Sequence, residues 1–149
     1  MKRSAVREIA VRLCFALAEN PSDPDEFVIR ALENEYYSTL QEEDELYENK
    51  PNKKQITYIN SVVTGVTVHS DELEGYISKY SVGWKIGRIP KTAAAIMKLA
   101  MFEVLYMPDI PDRAAINEAI ELAKRYETPE TVAFINGILG SFYRGETGV

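Results

Sequence analysis

Lys2, Arg3, Arg7 and Arg12 cluster at the start of this sequence and are its candidates for holding an anion. Arg3 and Arg7 stand four residues apart, so a helix stacks them on one face. Ammonium and guanidinium groups neutralise phosphates and release their counterions. The net charge of the chain, −6, argues against nucleic acid, but its distribution does not. Residues 1–18 set these four bases against Glu8 alone, a local charge of +3. Residues 19–48 hold eleven acids and one base, and the remainder sums to +1, so the acidity is local. Positive charge at a helix N-terminus opposes the macrodipole by roughly 0.3–1 kcal/mol per group. A helix that begins this way is not optimising its own stability, which points to an anionic partner. A solvated basic end, with Glu8 pairing Arg12 at i, i+4, is the other reading. Composition alone favours that second one.

No other constellation carries chemistry. There is no glycine-rich phosphate loop, no HExxH and no GxSxG. The carboxylates are numerous, but none is marked as a buried acid–base couple. His69, the one imidazole, stands beside Ser70 and Asp71. Adjacent residues on a helix point in different directions, so no Ser–His–Asp triad forms there. His69 reads as a surface or hydrogen-bonded residue. With one Cys and one His, thiolates and imidazoles cannot build a zinc site within one chain. Cys14 has no partner for an internal disulfide, which favours a reducing cytoplasm. The expectation is no catalytic residue, no metal and no cofactor.

The basic residues sit on an expected first helix, with Ser4 as N-cap and an end near Asn20. Val6, Ala10, Leu13, Cys14 and Leu17 form its stripe. Residues 25–48 read as a second helix striped by Phe27, Val28, Ala31, Leu32 and Tyr36. Its acidic far end reads as solvated surface. Lys50 to Lys54 read as a turn or loop. A long helix from about Lys54 to Tyr80 carries Ile56, Ile59, Val63, Val66, Leu73 and Ile77. Gly65 and Gly75 are expected to permit a close contact or a break. Trp84 is expected to anchor a short helical turn between two lobes, punctuated by Gly83, Gly87 and Pro90.

From Thr92 to Met107 apolar residues run nearly all round, which marks a central buried helix. Lys98 and Glu103 are its polar breaks. From Asp109 to Gly140 two further helices follow with little slack. Ile116, Ala119, Ile120 and Ala123 stripe the first; Phe134, Ile135, Ile138, Leu139 and Phe142 stripe the second. Thr128 before Pro129 is an N-cap followed by proline at the first helical position. Asn117 and Asn136 read chiefly as amides that satisfy loop backbone groups, with a surface role as the alternative. Gly137 is expected to allow close packing.

At 149 residues the chain fits one domain, with room for two lobes, and has 46% hydrophobic and 27% charged residues. No apolar run nears the ~18 residues of a membrane span. Arg7, Glu8 and Arg12 interrupt any signal-peptide core.

The block DIPDRAAINEAIELAK, Asp109 to Lys124, resembles the NusB family of transcription antitermination factors. FINGIL, Phe134 to Leu139, is similar to that family's closing motif. WKIGRIP followed by IMKLAMFEVL resembles its central region, and REIAVRLCF, Arg7 to Phe15, its first helix. The resemblance implies an all-α fold of two small helix bundles packed across one another, with about seven helices. It implies one RNA-binding domain over residues 1–149, with sub-bundles of about 1–80 and 81–149. It further implies a cytoplasmic, non-enzymatic factor that binds boxA-type single-stranded RNA in nascent ribosomal RNA transcripts. The implied partners are the ribosomal protein NusE and an RNA polymerase elongation complex with other Nus factors. Homodimers through the RNA-binding face also occur in the family.

By position, Lys2, Arg3, Arg7 and Arg12 match the family's RNA-binding arm, which reverses the preference for a solvated end. Glu130 and Phe134 match positions near the RNA face, with a core role for Phe134 equally open. Phe15 matches an aromatic position used towards the ribosomal partner. Where the family has an acid then a base at the start of the central helix, this chain has Ala93 and Ala94. Two other classes stay open. One is the RNA-binding module of an RNA cytosine methyltransferase, which would need more chain than the nine residues after Gly140. The other is a protein adaptor without RNA.

Overall fold

The computed structural model describes residues 1–83 and 88–148. Among them the regular elements are all helical, as expected. Two compact units, Met1–Thr67 and Val68–Val149, divide the chain. The division falls ahead of residue 80 because the expected long helix is two helices. Trp84 and Gly87, read as part of an anchoring turn, lie outside the described residues.

In the first unit α1 spans Arg3–Glu19. It begins one residue ahead of Ser4, with Lys2 at the N-cap and no side-chain cap, so Ser4 sits in the first turn. Its buried side is broader than the expected stripe: Ile9, Val11 and the carboxyl-bearing Glu8 join Val6, Ala10, Cys14 and Leu17. Leu13 is only half-buried.

The expected second helix is α2, Pro24–Ala31, then α3, Asn34–Glu43, then a 3-10 turn, Glu45–Tyr47. Asp23 starts α2 by accepting from the Glu26 N–H at 3.0 Å, and Pro24 follows it. Glu33 then takes an extended backbone, φ −62° and ψ 140°, which resets the helical phase. Tyr36, expected inside, is therefore 52% exposed, and Tyr37 is buried at 1%. Its hydroxyl donates to the Asn49 carbonyl at 2.7 Å, and its ring meets Tyr47 edge-on at 5.6 Å. Burial, then the neighbouring Tyr47, pushes the Tyr37 phenol up to about 12.

Helix α4 spans Lys53–Val68 and buries Ile59, Val62, Val63 and Val66, while Ile56 stays exposed. Asn52 and Gln55 cap its start reciprocally, each side chain accepting the other's backbone N–H at 2.9 Å. The β-branched run remains helical because its 3.6-residue period buries one side.

The second unit opens at a break on His69, φ −97° and ψ 15°, before α5, Ser70–Tyr80. Neither glycine makes this break. Helix α4 runs through Gly65, and a Cβ on Gly75 would meet nothing within 4 Å. Helix α6, Lys91–Tyr106, is buried on most sides, as its composition requires, and touches α5, α7 and α8. Glu103, read as a polar break, is fully buried there.

Helix α7 spans Asp112–Tyr126 and α8 Pro129–Thr147. The core side of α7 is Ala115, Ala119, Leu122 and Ala123, with Ile116 and Ile120 at its half-buried margin. Small alanines face the core because they let α6 and α7 approach closely. Thr128 caps α8 as expected, accepting from the Thr131 N–H at 3.2 Å. Ile135, Ile138, Leu139 and Phe142 are buried as expected.

Two readings are corrected here. Asn117 and Asn136 are both exposed, so neither is a buried amide that must be paired, and the surface alternative stands. A Cβ on Gly137 would meet nothing within 4 Å, whereas one on Gly145 would stand 2.8 Å from Tyr80 Cζ. The close approach lies two turns further along α8, where Tyr80 reaches the Glu146 carboxylate.

Candidate nucleic-acid interface

Lys2 and Arg3 are exposed at the start of α1, and Arg7 follows one turn on, half-buried. The Arg7 guanidinium lies 6.0 Å from the centroid of the Tyr58 ring on α4. This contact restrains a long side chain that would otherwise sample many rotamers. Gln55 Nε2 donates to the Met1 carbonyl at 2.7 Å, fixing the chain that leads into α1.

Arg12 is placed differently. At ~100° per residue, Arg7 stands about 40° from Arg3, but Arg12 stands about 140° from Arg7. Its Nη2 donates to Glu8 Oε2 at 3.2 Å and its Nη1 to Asp44 Oδ2 at 2.9 Å. Its guanidinium also lies 5.7 Å from the Tyr47 centroid. The Glu8 side chain is 1% exposed, so Arg12 supplies the opposite charge to a buried carboxylate. The fold thus brings Arg3 and Arg7 together and sets Arg12 on the side of α1 facing Asp44. Spacing gives the Glu8–Arg12 pair; Asp44, 32 residues away, leaves no local pattern.

Phe15 is partly exposed further along α1. In the second unit Glu130 is exposed in the first turn of α8, and Phe134 is half-buried one turn later. Ala93 is fully buried near the start of α6, and Ala94 is half-buried. The Glu127 carboxylate, missed in the sequence, accepts the Ala93 backbone N–H. Burial raises its pKa, and this hydrogen bond partly offsets the rise. The cap comes from the α7–α8 turn, too remote in sequence for a capping motif.

His69 packs as a structural side chain. Its ring stacks on Tyr106 at 4.3 Å, and its Nδ1 lies 3.8 Å from Glu72 Oε2. The Tyr106 hydroxyl donates to that same carboxylate at 2.7 Å. Among the described residues no group of His, Cys, Asp and Glu could hold a metal ion. No described helix is long and apolar enough to cross a membrane.

The NusB family model matches residues 4–144. The chain belongs to the NusB family. It is 41% identical over 140 residues to the transcription antitermination protein NusB of Acetivibrio thermocellus, covering 94% of this chain and 87% of that protein. It is 35% identical to the NusB of Ruminiclostridium cellulolyticum, covering 98% and 91%. The solved structure of T. maritima NusB superimposes with a TM-score of 0.70 at 28% identity, covering 97% and 92%. A crystal structure of the antitermination factors NusB and NusE with dsRNA shares the fold, with a TM-score of 0.73 at 20% identity and 96% of each chain covered. The NusB fold therefore accounts for both units of the chain.

Proposed function

We propose that this NusB-family chain acts, over residues 1–149 as one RNA-binding domain, as a transcription antitermination factor. It binds boxA-type single-stranded RNA in nascent ribosomal RNA transcripts. It does so with ribosomal protein NusE, within an RNA polymerase elongation complex that includes other Nus factors, and promotes read-through. The observation that carries this reading is the start of α1. Lys2 and Arg3 are exposed, Arg7 shares the face of Arg3, and the one acid among them, Glu8, is buried against Arg12. Relatives that match nearly the whole chain carry the name transcription antitermination protein, and one neighbour of the same fold is NusB with NusE and dsRNA.

On this reading Lys2, Arg3 and Arg7 hold phosphates. Arg12 adds positive charge to the same helix while ordering α1 against Asp44. Few cations on an acidic chain bind weakly and with steep salt dependence. A ribosomal partner docked at Phe15 adds contacts and raises affinity by making the surface composite. Glu130 and Phe134 on α8 supply a polar group and a ring for unstacked bases. A second copy of the chain on the same arm would compete with RNA.

The test is titration of boxA-type RNA, with and without NusE, at several salt concentrations. Binding is expected to fall with salt and to weaken when Arg3 and Arg7 are both replaced by Ala. A salt-sensitive NusE complex indifferent to RNA would instead make the chain a protein adaptor.

A further inference from the structure

We infer that the RNA-binding surface extends from α1 onto the first turn of α4, where Lys53 and Lys54 are further phosphate contacts. This rests on the reading of α1 as an RNA-binding arm and deepens it. The sequence leaves these lysines in a loop about fifty residues from the arm. The fold brings them to it. Gln55 Nε2 donates to the Met1 carbonyl at 2.7 Å, and the Tyr58 ring lies 6.0 Å from the Arg7 guanidinium. Both contacts are made by side chains, and they bring the start of α4 within side-chain reach of the start of α1.

Lys2, Arg3, Lys53 and Lys54 are all exposed. Neither helix has an acid in its first turn, and residues 53–60 contain none at all. Glu8, the remaining acid on the arm, is buried and engaged by Arg12. These segments therefore supply no exposed acid to compensate the four cations. Each lysine also opposes the dipole of α4, as Lys2 and Arg3 oppose that of α1. Lys50 stands apart from the set, because its ammonium is held by Asn34 Oδ1 and lies 6.0 Å over the Tyr37 ring.

The ligand class is the sugar–phosphate backbone of a single strand. Lysine is a compact point charge that neutralises phosphate without reading a base. The reciprocal Asn52–Gln55 cap holds the two lysines on ordered helix rather than on loop. They position the strand, while its sequence is read elsewhere.

The test compares wild type, the K53A/K54A pair and the R3A/R7A pair. Each is titrated from 50 to 200 mM salt with a labelled boxA-type RNA and with a scrambled RNA of equal length. Thermal melts check that each variant folds. The lysine pair is expected to lose affinity for both RNAs by the same factor. Its log–log salt slope should fall by about 1.4, at ~0.7 per single-strand phosphate contact. Its deficit against wild type should accordingly shrink about sevenfold between 50 and 200 mM. Wild-type affinity and slope in the lysine pair, with the arginine pair impaired, would overturn the extension and leave the arm standing. A wild-type chain that binds neither RNA at any salt would overturn both.

Discussion

Arg12 on α1 donates to Asp44, 32 residues further on, at 2.9 Å, while its other terminal nitrogen holds the buried Glu8. One side chain thus joins the first helix to the residue that begins the 3-10 turn. Arg12→Ala leaves the Glu8 carboxylate without that charge. The expected loss is about 1–3 kcal/mol in urea unfolding, against less than about 0.5 for the exposed Arg3→Ala. Equal, small losses for both would mean that Arg12 does not hold the unit together.

If Arg7 holds RNA as proposed, Tyr58 would act on RNA binding through it. Tyr58→Leu removes the ring beneath the guanidinium, a contact of about 0.5–1 kcal/mol. RNA affinity should fall about two- to fivefold in Tyr58→Leu and hold in Tyr58→Phe. The difference should vanish in an Arg7→Ala background, which is the double-mutant signature of a coupled pair.

Two glycines on α8 should respond to alanine with opposite signs. Gly137 is exposed in open space, so Gly137→Ala should stabilise by about 0.5–1 kcal/mol through helix propensity. Gly145→Ala puts a Cβ against the Tyr80 ring and displaces its hydroxyl from Glu146. A loss of about 1–3 kcal/mol is expected from this overpacking. Thermal midpoints moving the same way in both variants would contradict the placement of Tyr80.

Burial, then the neighbouring Tyr47, pushes the Tyr37 phenol from its ordinary 10.0 up to about 12. A raised folded pKa gives stability that is full below the unfolded value and is lost as pH rises through the folded one. Stability should therefore drop between about pH 10 and 12, by on the order of 2 kcal/mol. Tyr37→Phe should abolish this drop, along with one late phenolate step in absorbance at ~295 nm. A Tyr37 signal that titrates with the exposed tyrosines would refute the burial.

Glu127 carries the opposite consequence in the acid range. Burial raises its pKa above the ordinary 4.5, so its contribution to stability falls as pH climbs through and above that value. Glu127→Gln keeps an acceptor for the Ala93 N–H and removes the buried charge. Its stability relative to wild type should improve from pH 4 to pH 7. Glu127→Ala also removes the charge but loses the acceptor for the Ala93 N–H, so it should follow the same pH trend as Glu127→Gln, offset below it by about 1 kcal/mol. Parallel pH profiles for wild type and Glu127→Gln would show that the carboxyl is not desolvated.

Side-chain spacing and motif alone set the all-helical class, the Thr128–Pro129 start of α8, the all-round burial of α6 and the family. These are local or periodic properties, set by side-chain spacing over one or two turns. Spacing also placed Arg3 and Arg7 on one face, since four residues make about one turn. Tertiary structure decided the rest. An extended Glu33 moved burial from Tyr36 to Tyr37, and a break at His69 cut one expected helix into two. A single backbone dihedral resets phase, and no side-chain pattern encodes it. Asp44 with Arg12, Glu127 with Ala93, and Tyr80 with Gly145 are pairs distant in sequence. So is the approach of Lys53 and Lys54 to the arm, which rests on Gln55 reaching Met1 and Arg7 reaching Tyr58. Hydrophobic burial chooses which helix faces meet, and only that choice brings the turns that carry the four exposed cations within side-chain reach of one another.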